Sequence, residues 1–100
     1  MNLKGKKILV VGYGVSGEAV VRFLVEEKAI VSVNDSVEKK MPSAFSKTVN
    51  VYWGDLNEEL TTQFDLIVIS PGIVTQQPAL EAARKKKIPV LGEFGLACLF

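Results

Sequence analysis

The sequence predicts an α/β domain built on a five-stranded parallel sheet with helices on both faces. Short, continuously apolar runs of strand length recur along the chain, and stretches of helical periodicity separate them. The first run breaks into Gly12, Gly14 and Gly17, spaced G-x-G-x-x-G, and an amphipathic pattern follows at once. The 100 residues suffice for one domain and not for two.

Residues 1–7 are polar and basic and lead into the sheet. Residues 8–11, Ile-Leu-Val-Val, form a strand buried on both faces, since helices leave neither side of a central parallel strand to water. From residue 17 to about residue 28 the pattern turns helical. Ala19, Val20, Phe23 and Leu24 face inward, and Glu18, Arg22 and Glu26 form a solvated ridge. Residues 30–34 make the second strand, with Asp35 at its carboxyl end. Residues 38–48 mix charge, Pro42 and small side chains, as a surface loop or short irregular helix does. Residues 50–53 alternate as a short third strand; Gly54 and Asp55 end it, and Asn57 caps a brief helix through Thr61. Residues 66–69 are the fourth strand, closed by Ser70-Pro71-Gly72. Pro78 opens a helix to about residue 87, with Leu80 and Ala83 inward and Ile88 a further candidate. Residues 88–91 supply the fifth strand, and Gly92-Glu93 starts a helix that the chain barely begins. A break in mid-pattern predicts a piece of a longer protein.

Composition narrows the function. Lys and Arg total 12 against 11 Asp and Glu, so charge points to neither nucleic acid nor an anionic membrane as partner. No apolar run approaches the roughly 18 residues of a membrane span. Gly12 and Gly14 cut the first apolar run too short for a secretory signal, so a cytoplasmic protein is expected. Cys98 is the single cysteine, which excludes an internal disulfide, and it reads as a small core residue. No histidine is present, which argues against structural zinc and removes Ser-His and Cys-His nucleophile pairs. No catalytic residue and no metal ligand is assigned. Backbone amides, carboxylates and lysines are left to do the chemistry, or another part of the protein does it. The basic run Arg84-Lys85-Lys86-Lys87 falls in a last helical turn, where cations complement the dipole, in preference to forming an anion patch.

The glycine turn is the expected ligand site. Gly12 permits the tight turn, Gly14 lets a ligand approach the backbone, and Gly17 lets the helix pack on the strand. The first N–H groups of the helix have no intrahelical acceptor, and the dipole is positive there. A phosphate or pyrophosphate is the natural guest; a ligand-free strand-to-helix turn is the alternative. Asp35 follows Gly17 by about 18 residues, near the roughly 20 at which a dinucleotide fold keeps an acid for ribose hydroxyls. Within Asn34-Asp35-Ser36 it also reads as a turn or cap residue. Ligands of doubly wound sheets bind outside the carboxyl ends of the strands, where strand order reverses. Residues 12–17, Asp35 with Ser36, and residues 70–72 all fall at such ends and converge on one crevice. Trp53 either stacks on a base or simply packs. The fold expected is thus Rossmann-like.

Together, Val11-Gly12-Tyr13-Gly14-Val15-Ser16-Gly17, Val33-Asn34-Asp35-Ser36, Asp65-Leu66-Ile67-Val68-Ile69-Ser70-Pro71-Gly72-Ile73 and Val90-Leu91-Gly92-Glu93 resemble the N-terminal domain of the Mur ligases. The resemblance runs over nearly the whole chain and is greatest to the D-glutamate-adding branch. Many nucleotide-binding domains carry the glycine motif, whereas the segment through Ser70-Pro71-Gly72-Ile73 is far more specific. The resemblance implies that residues 1–100 are the UDP-substrate-binding domain of a longer ligase, with ATP-binding and C-terminal domains as its partners. It implies UDP-N-acetylmuramoyl-L-alanine as the substrate held. Gly14, Val15, Ser16 and Gly17 would lie at the diphosphate, with the Ser16 hydroxyl a further donor. Asp35 and Ser36 would take the uracil edge, and Ser70, Pro71 and Gly72 would border the muramoyl end. By the same resemblance ATP, magnesium and D-glutamate belong to later domains, where an acyl phosphate forms during peptidoglycan precursor synthesis. No G-x-x-x-x-G-K-[ST] loop is present, so no ligase activity is expected from this chain alone. Some members place an arginine, suited to stacking on uracil, where this sequence has Val37; Lys39 and Lys40 are the nearby cations. Members also often carry a second acid near Gly95, which this chain lacks. The competing reading is an NAD(H)-binding regulatory or redox module with Asp35 on the adenosine ribose. Pro71 favours the Mur reading, because nothing in NAD binding requires a proline there. A purely structural domain ranks last.

Overall fold

The computed structural model describes residues 2–42, 45 and 47–92. Its strands are β1 (Lys7–Val11), β2 (Ile30–Asp35), β3 (Asn50–Trp53), β4 (Leu66–Ile69) and β5 (Val90–Gly92), and its helices are α1 (Val15–Glu26), α2 (Glu58–Thr61) and α3 (Pro78–Lys85). The sheet runs β3-β2-β1-β4-β5, with every neighbouring pair parallel. Strand order reverses between β1 and β4. The chain moves outward from β1 to β2 and β3, then crosses back to β4 and β5. With right-handed crossovers, outward and returning connections fall on opposite faces of the sheet. The core divides in that way. Ile8, Val10, Val31, Val33 and Val68 pack with Val20, Val21 and Leu24 of α1 on one face. Leu9, Val11, Ile67 and Ile69 pack with Leu60 of α2 and Leu80 and Ala83 of α3 on the other. Helices cover both faces, as expected. Each Leu sealed in this way contributes roughly 1.5–3 kcal/mol.

Local chemistry explains most element boundaries. The Asn57 side chain caps α2 as expected, accepting from the Leu60 amide at 2.8 Å. Pro78 takes the first turn of α3, where its missing N–H costs nothing. Helix α1 starts at Val15 and ends at Glu26, two residues earlier at each end than the periodicity suggests. Its buried stripe is Gly17, Val20, Val21 and Leu24, and Ala19 faces solvent. The phase is set by Gly17: a Cβ there would stand 2.2 Å from the Gly12 carbonyl oxygen, so this face must meet the strand. β5 lies two residues later than expected at its start, because Lys87 and Ile88 close the end of α3 through bonds to Arg84 and Ala83.

The polar leader and the loop expected at the surface each contribute a side chain to the core. Leu3, in the polar leader, is 2% exposed, and Phe45, in the loop after β2, is 4% exposed; both pack on the α1 face. β3 is an edge strand and mostly exposed, while Trp53 packs against the core. No helix among the described residues is long and apolar enough to cross a membrane. The helix expected from Gly92-Glu93, the position of Gly95 and the place of Cys98 lie outside the described residues.

Candidate functional site

At the carboxyl ends of β1, β2 and β4 a cleft of about 400 Å³ is lined by residues 12–17, Asp35 and residues 70–73. A second lobe of about 380 Å³ shares Gly12, Asp35, Gly72 and Ile73 with it, and adds Asn34, Ser36, residues 54–56, Val74 and Gln77. The three loops singled out in the sequence are therefore brought together. Gly14, Val15, Ser16, Gly17, Ser70 and Pro71 wall the first lobe. Ser36 walls the second, and Asp35 and Gly72 border both.

Gly12 and Gly17 serve the turn and the helix packing that their spacing implies. Gly12 has φ +94°, and a Cβ there would meet the Ser70 side chain at 3.1 Å and Ile73 at 3.2 Å. Gly14 holds ordinary extended backbone (φ −105°), and a Cβ built on it meets nothing within 4 Å. Gly14 is itself part of the cleft wall. The first helical bond of α1 runs from the Glu18 amide to the Gly14 carbonyl at 2.9 Å, and no side chain caps the helix. The amides of Val15, Ser16 and Gly17 precede that bond, so no helix carbonyl claims them. Together with the helix dipole they make a site for an anion.

Asp35 is already engaged. Its Oδ2 accepts the Tyr13 amide at 2.8 Å, and its Oδ1 accepts the Val37 amide at 3.0 Å. The Lys39 ammonium stands 3.7 Å from Oδ2. Burial alone would raise the carboxyl pKa; the two amides and Lys39 outweigh it and hold it below the ordinary value. The turn expected at Asp35 is present at 35–37, and the residue also lies at the cleft. A lone pair is left on Oδ1, which accepts only the Val37 amide among the described residues. Ser70 is likewise engaged, its hydroxyl donating to the Gly12 carbonyl at 3.0 Å.

Other features escaped the sequence. Gly54, Asp55 and Leu56 line the second lobe because β3 pairs beside β2, with Asp35 opposite Trp53. A strand end at Gly54-Asp55 was the available signal. The Tyr13 ring is buried among the α1-face apolar residues, and its hydroxyl has no partner among the described residues. Burial, and then Glu18, raise the Tyr13 pKa against the lowering effect of Arg22. Arg84 donates to the Thr75 carbonyl at 2.6 Å and pairs with Glu81, so it tethers the loop after β4. Val15 of the first lobe and Val74 of the second stand exposed at the cleft, and Val37 is exposed in the turn after Asp35. Among the described residues no group of three or more His, Cys, Asp or Glu side chains is placed to hold a metal ion.

Solved structures with this fold include a precorrin-2 dehydrogenase, SirC (TM-score 0.65, 21% identity, 90% of this chain and 45% of that one). A shikimate dehydrogenase from Aquifex aeolicus is similar too (TM-score 0.63, 21% identity, 96% of this chain and 45% of that one). At such identities the likeness concerns the fold, which is Rossmann-like. Sequence relatives are much nearer. The UDP-N-acetylmuramoylalanine–D-glutamate ligase of Desulfatibacillum aliphaticivorans is 45% identical over all of this chain and 23% of its own length. That of Koribacter versatilis is 44% identical with the same coverage, and that of Pasteurella multocida 34% identical over 95% of this chain. The chain thus spans about a quarter of the relatives it matches. Residues 6–92 match the family described as Mur ligase MurD-like, N-terminal domain. With the crevice, the glycine turn and these relatives in agreement, the chain belongs to the MurD-like N-terminal domain family of the Mur ligases.

Proposed function

We propose that this domain binds UDP-N-acetylmuramoyl-L-alanine and presents it for ATP-dependent addition of D-glutamate, a cytoplasmic step of peptidoglycan precursor synthesis. The carrying observation is the convergence of residues 12–17, Asp35-Ser36 and residues 70–73 on one cleft, in a chain up to 45% identical to ligases of that name. The free amides of Val15, Ser16 and Gly17 suit the diphosphate, and open space at Gly14 lets it approach. Asp35 and Ser36 take the uracil edge, and Ser70, Pro71 and Gly72 border the muramoyl end. Val37 offers an apolar surface beside the base in place of an arginine, and Lys39 supplies charge by pairing with Asp35. ATP, magnesium and D-glutamate are assigned to other parts of the longer enzyme. The domain contributes binding and orientation, which lower the barrier by holding the carboxylate where the acyl phosphate forms.

Calorimetric titration of the chain with UDP-N-acetylmuramoyl-L-alanine, UDP and NADH tests this. The two UDP ligands are expected to bind and NADH to give no measurable heat. NADH binding without a response to UDP would overturn the proposal in favour of a dinucleotide module.

A further inference from the structure

Asp35 and Ser70 meet at a single peptide group. The Gly12–Tyr13 peptide offers its carbonyl to the Ser70 hydroxyl at 3.0 Å and its N–H to Asp35 Oδ2 at 2.8 Å. A trans peptide directs its C=O and N–H to opposite sides, so the two residues hold it from both edges. The last backbone rungs of the sheet lie just before it: Gly12 N to Asn34 O at 2.7 Å, and Ser70 N to Val11 O at 3.0 Å. The two side chains continue the ladder one step beyond the strands. The same carbonyl also lies 2.2 Å from where a Cβ of Gly17 would stand. Its direction therefore sets how the first turn of α1 sits on β1.

Taking the cleft as a diphosphate site, we infer that Asp35 and Ser70 are positioning residues, clamping the Gly12–Tyr13 peptide and so aiming the amides of Val15, Ser16 and Gly17 at the anion. A glycine at φ +94° leaves the following peptide plane with little steric preference of its own. An ionised carboxylate only accepts, so it admits the N–H on its side and repels the carbonyl that a flipped plane would present. The Ser70 hydroxyl selects the same orientation from the other edge. This role is separate from any contact that Asp35 makes with a base.

Inorganic pyrophosphate, which has no base or sugar, is the discriminating probe. It is titrated into the unmutated chain, Ser70→Ala, Ser70→Thr, Asp35→Asn and the Ser70→Ala/Asp35→Asn double variant. Hydrogen exchange of the Tyr13 amide is followed by NMR in the free proteins. Each single loss should weaken pyrophosphate binding about fivefold to tenfold. The double variant should lose little more, because one peptide carries both effects. Ser70→Ala should speed exchange at Tyr13, an amide that Ser70 does not touch, and Ser70→Thr should restore it. Unchanged exchange in Ser70→Ala, or losses that simply add, would overturn the clamp. Altered exchange in a chain that never binds pyrophosphate would keep the clamp and overturn the diphosphate reading. If Asp35→Asn does not fold, Ser70→Ala and its threonine rescue decide alone.

Discussion

Gly14 and Gly17 lie three residues apart and respond to a methyl group in opposite ways. At Gly14 the backbone is ordinary and the added carbon meets nothing within 4 Å. Gly14→Ala should leave stability within about 0.5 kcal/mol and lower UDP affinity about tenfold or more, because the methyl enters the space proposed for the diphosphate. At Gly17 the carbon would stand 2.2 Å from backbone oxygen, which cannot swing away. Gly17→Ala should cost about 3 kcal/mol or more, read by urea denaturation. A binding loss at Gly17 without a stability loss would contradict this packing. Asp35 carries a pH signature. Its carboxyl is held below the ordinary value in the folded chain, so the unfolded chain binds more protons in acid. The stabilisation is complete above an ordinary carboxylate pKa near 4 and is lost as pH falls through the lower folded value. Asp35→Ala should make the decline of stability between about pH 5 and pH 2 shallower, and an unchanged slope would contradict it.

Both long helices end in one device. After α1 and after α3 a lysine takes positive φ, Lys28 at 66° and Lys87 at 64°. In each case the chain closes through two bonds onto helix carbonyls: Lys28 to Val25 and Ala29 to Leu24, then Lys87 to Arg84 and Ile88 to Ala83. Glycine favours this left-handed site, and a lysine there is strained. Lys28→Gly and Lys87→Gly should each stabilise the fold by about 0.5 kcal/mol, left-handed relief less the greater freedom of glycine in the unfolded chain. Denaturation midpoints check it; two lowered midpoints would show the lysines to be bound by contacts worth more than the strain. The basic run after Glu81 belongs to this element, with Arg84 and Lys85 in the last turn where the dipole favours cations.

The molecule is two cores back to back on one sheet. Leu24 and Ile67 are both fully buried, on opposite faces. Leu24→Ala should cost about 2–5 kcal/mol and Ile67→Val about 0.5–1.5. Sheet-separated cavities share no partners, so the double variant should lose their sum within about 0.5 kcal/mol. A clear departure from additivity would mean that strain passes through the sheet. The sheet also explains the site: the reversal between β1 and β4 leaves their carboxyl ends uncovered, and the loops leaving them diverge to opposite faces.

Local chemistry was enough to read much of this protein from its sequence. Four-residue apolar runs marked β1 and β4, Asn57 marked the cap of α2, and three glycines marked a turn whose conformation few other residues accept. Each signal acts within a few residues, so a linear pattern holds it. The crevice was legible too, since every parallel strand delivers its following loop to the same edge. Tertiary structure alone decided the rest. Ala19 and Gly17 exchange places because the helix phase answers to a carbonyl on the strand. Leu3 and Phe45 are buried because the α1 face had uncovered surface within their reach. Asp35 and Ser70 grip one peptide from 22 and 58 residues away. Such pairings depend on which strands become neighbours, and strand order follows from burying both faces of the whole sheet at once, which no short stretch of residues encodes.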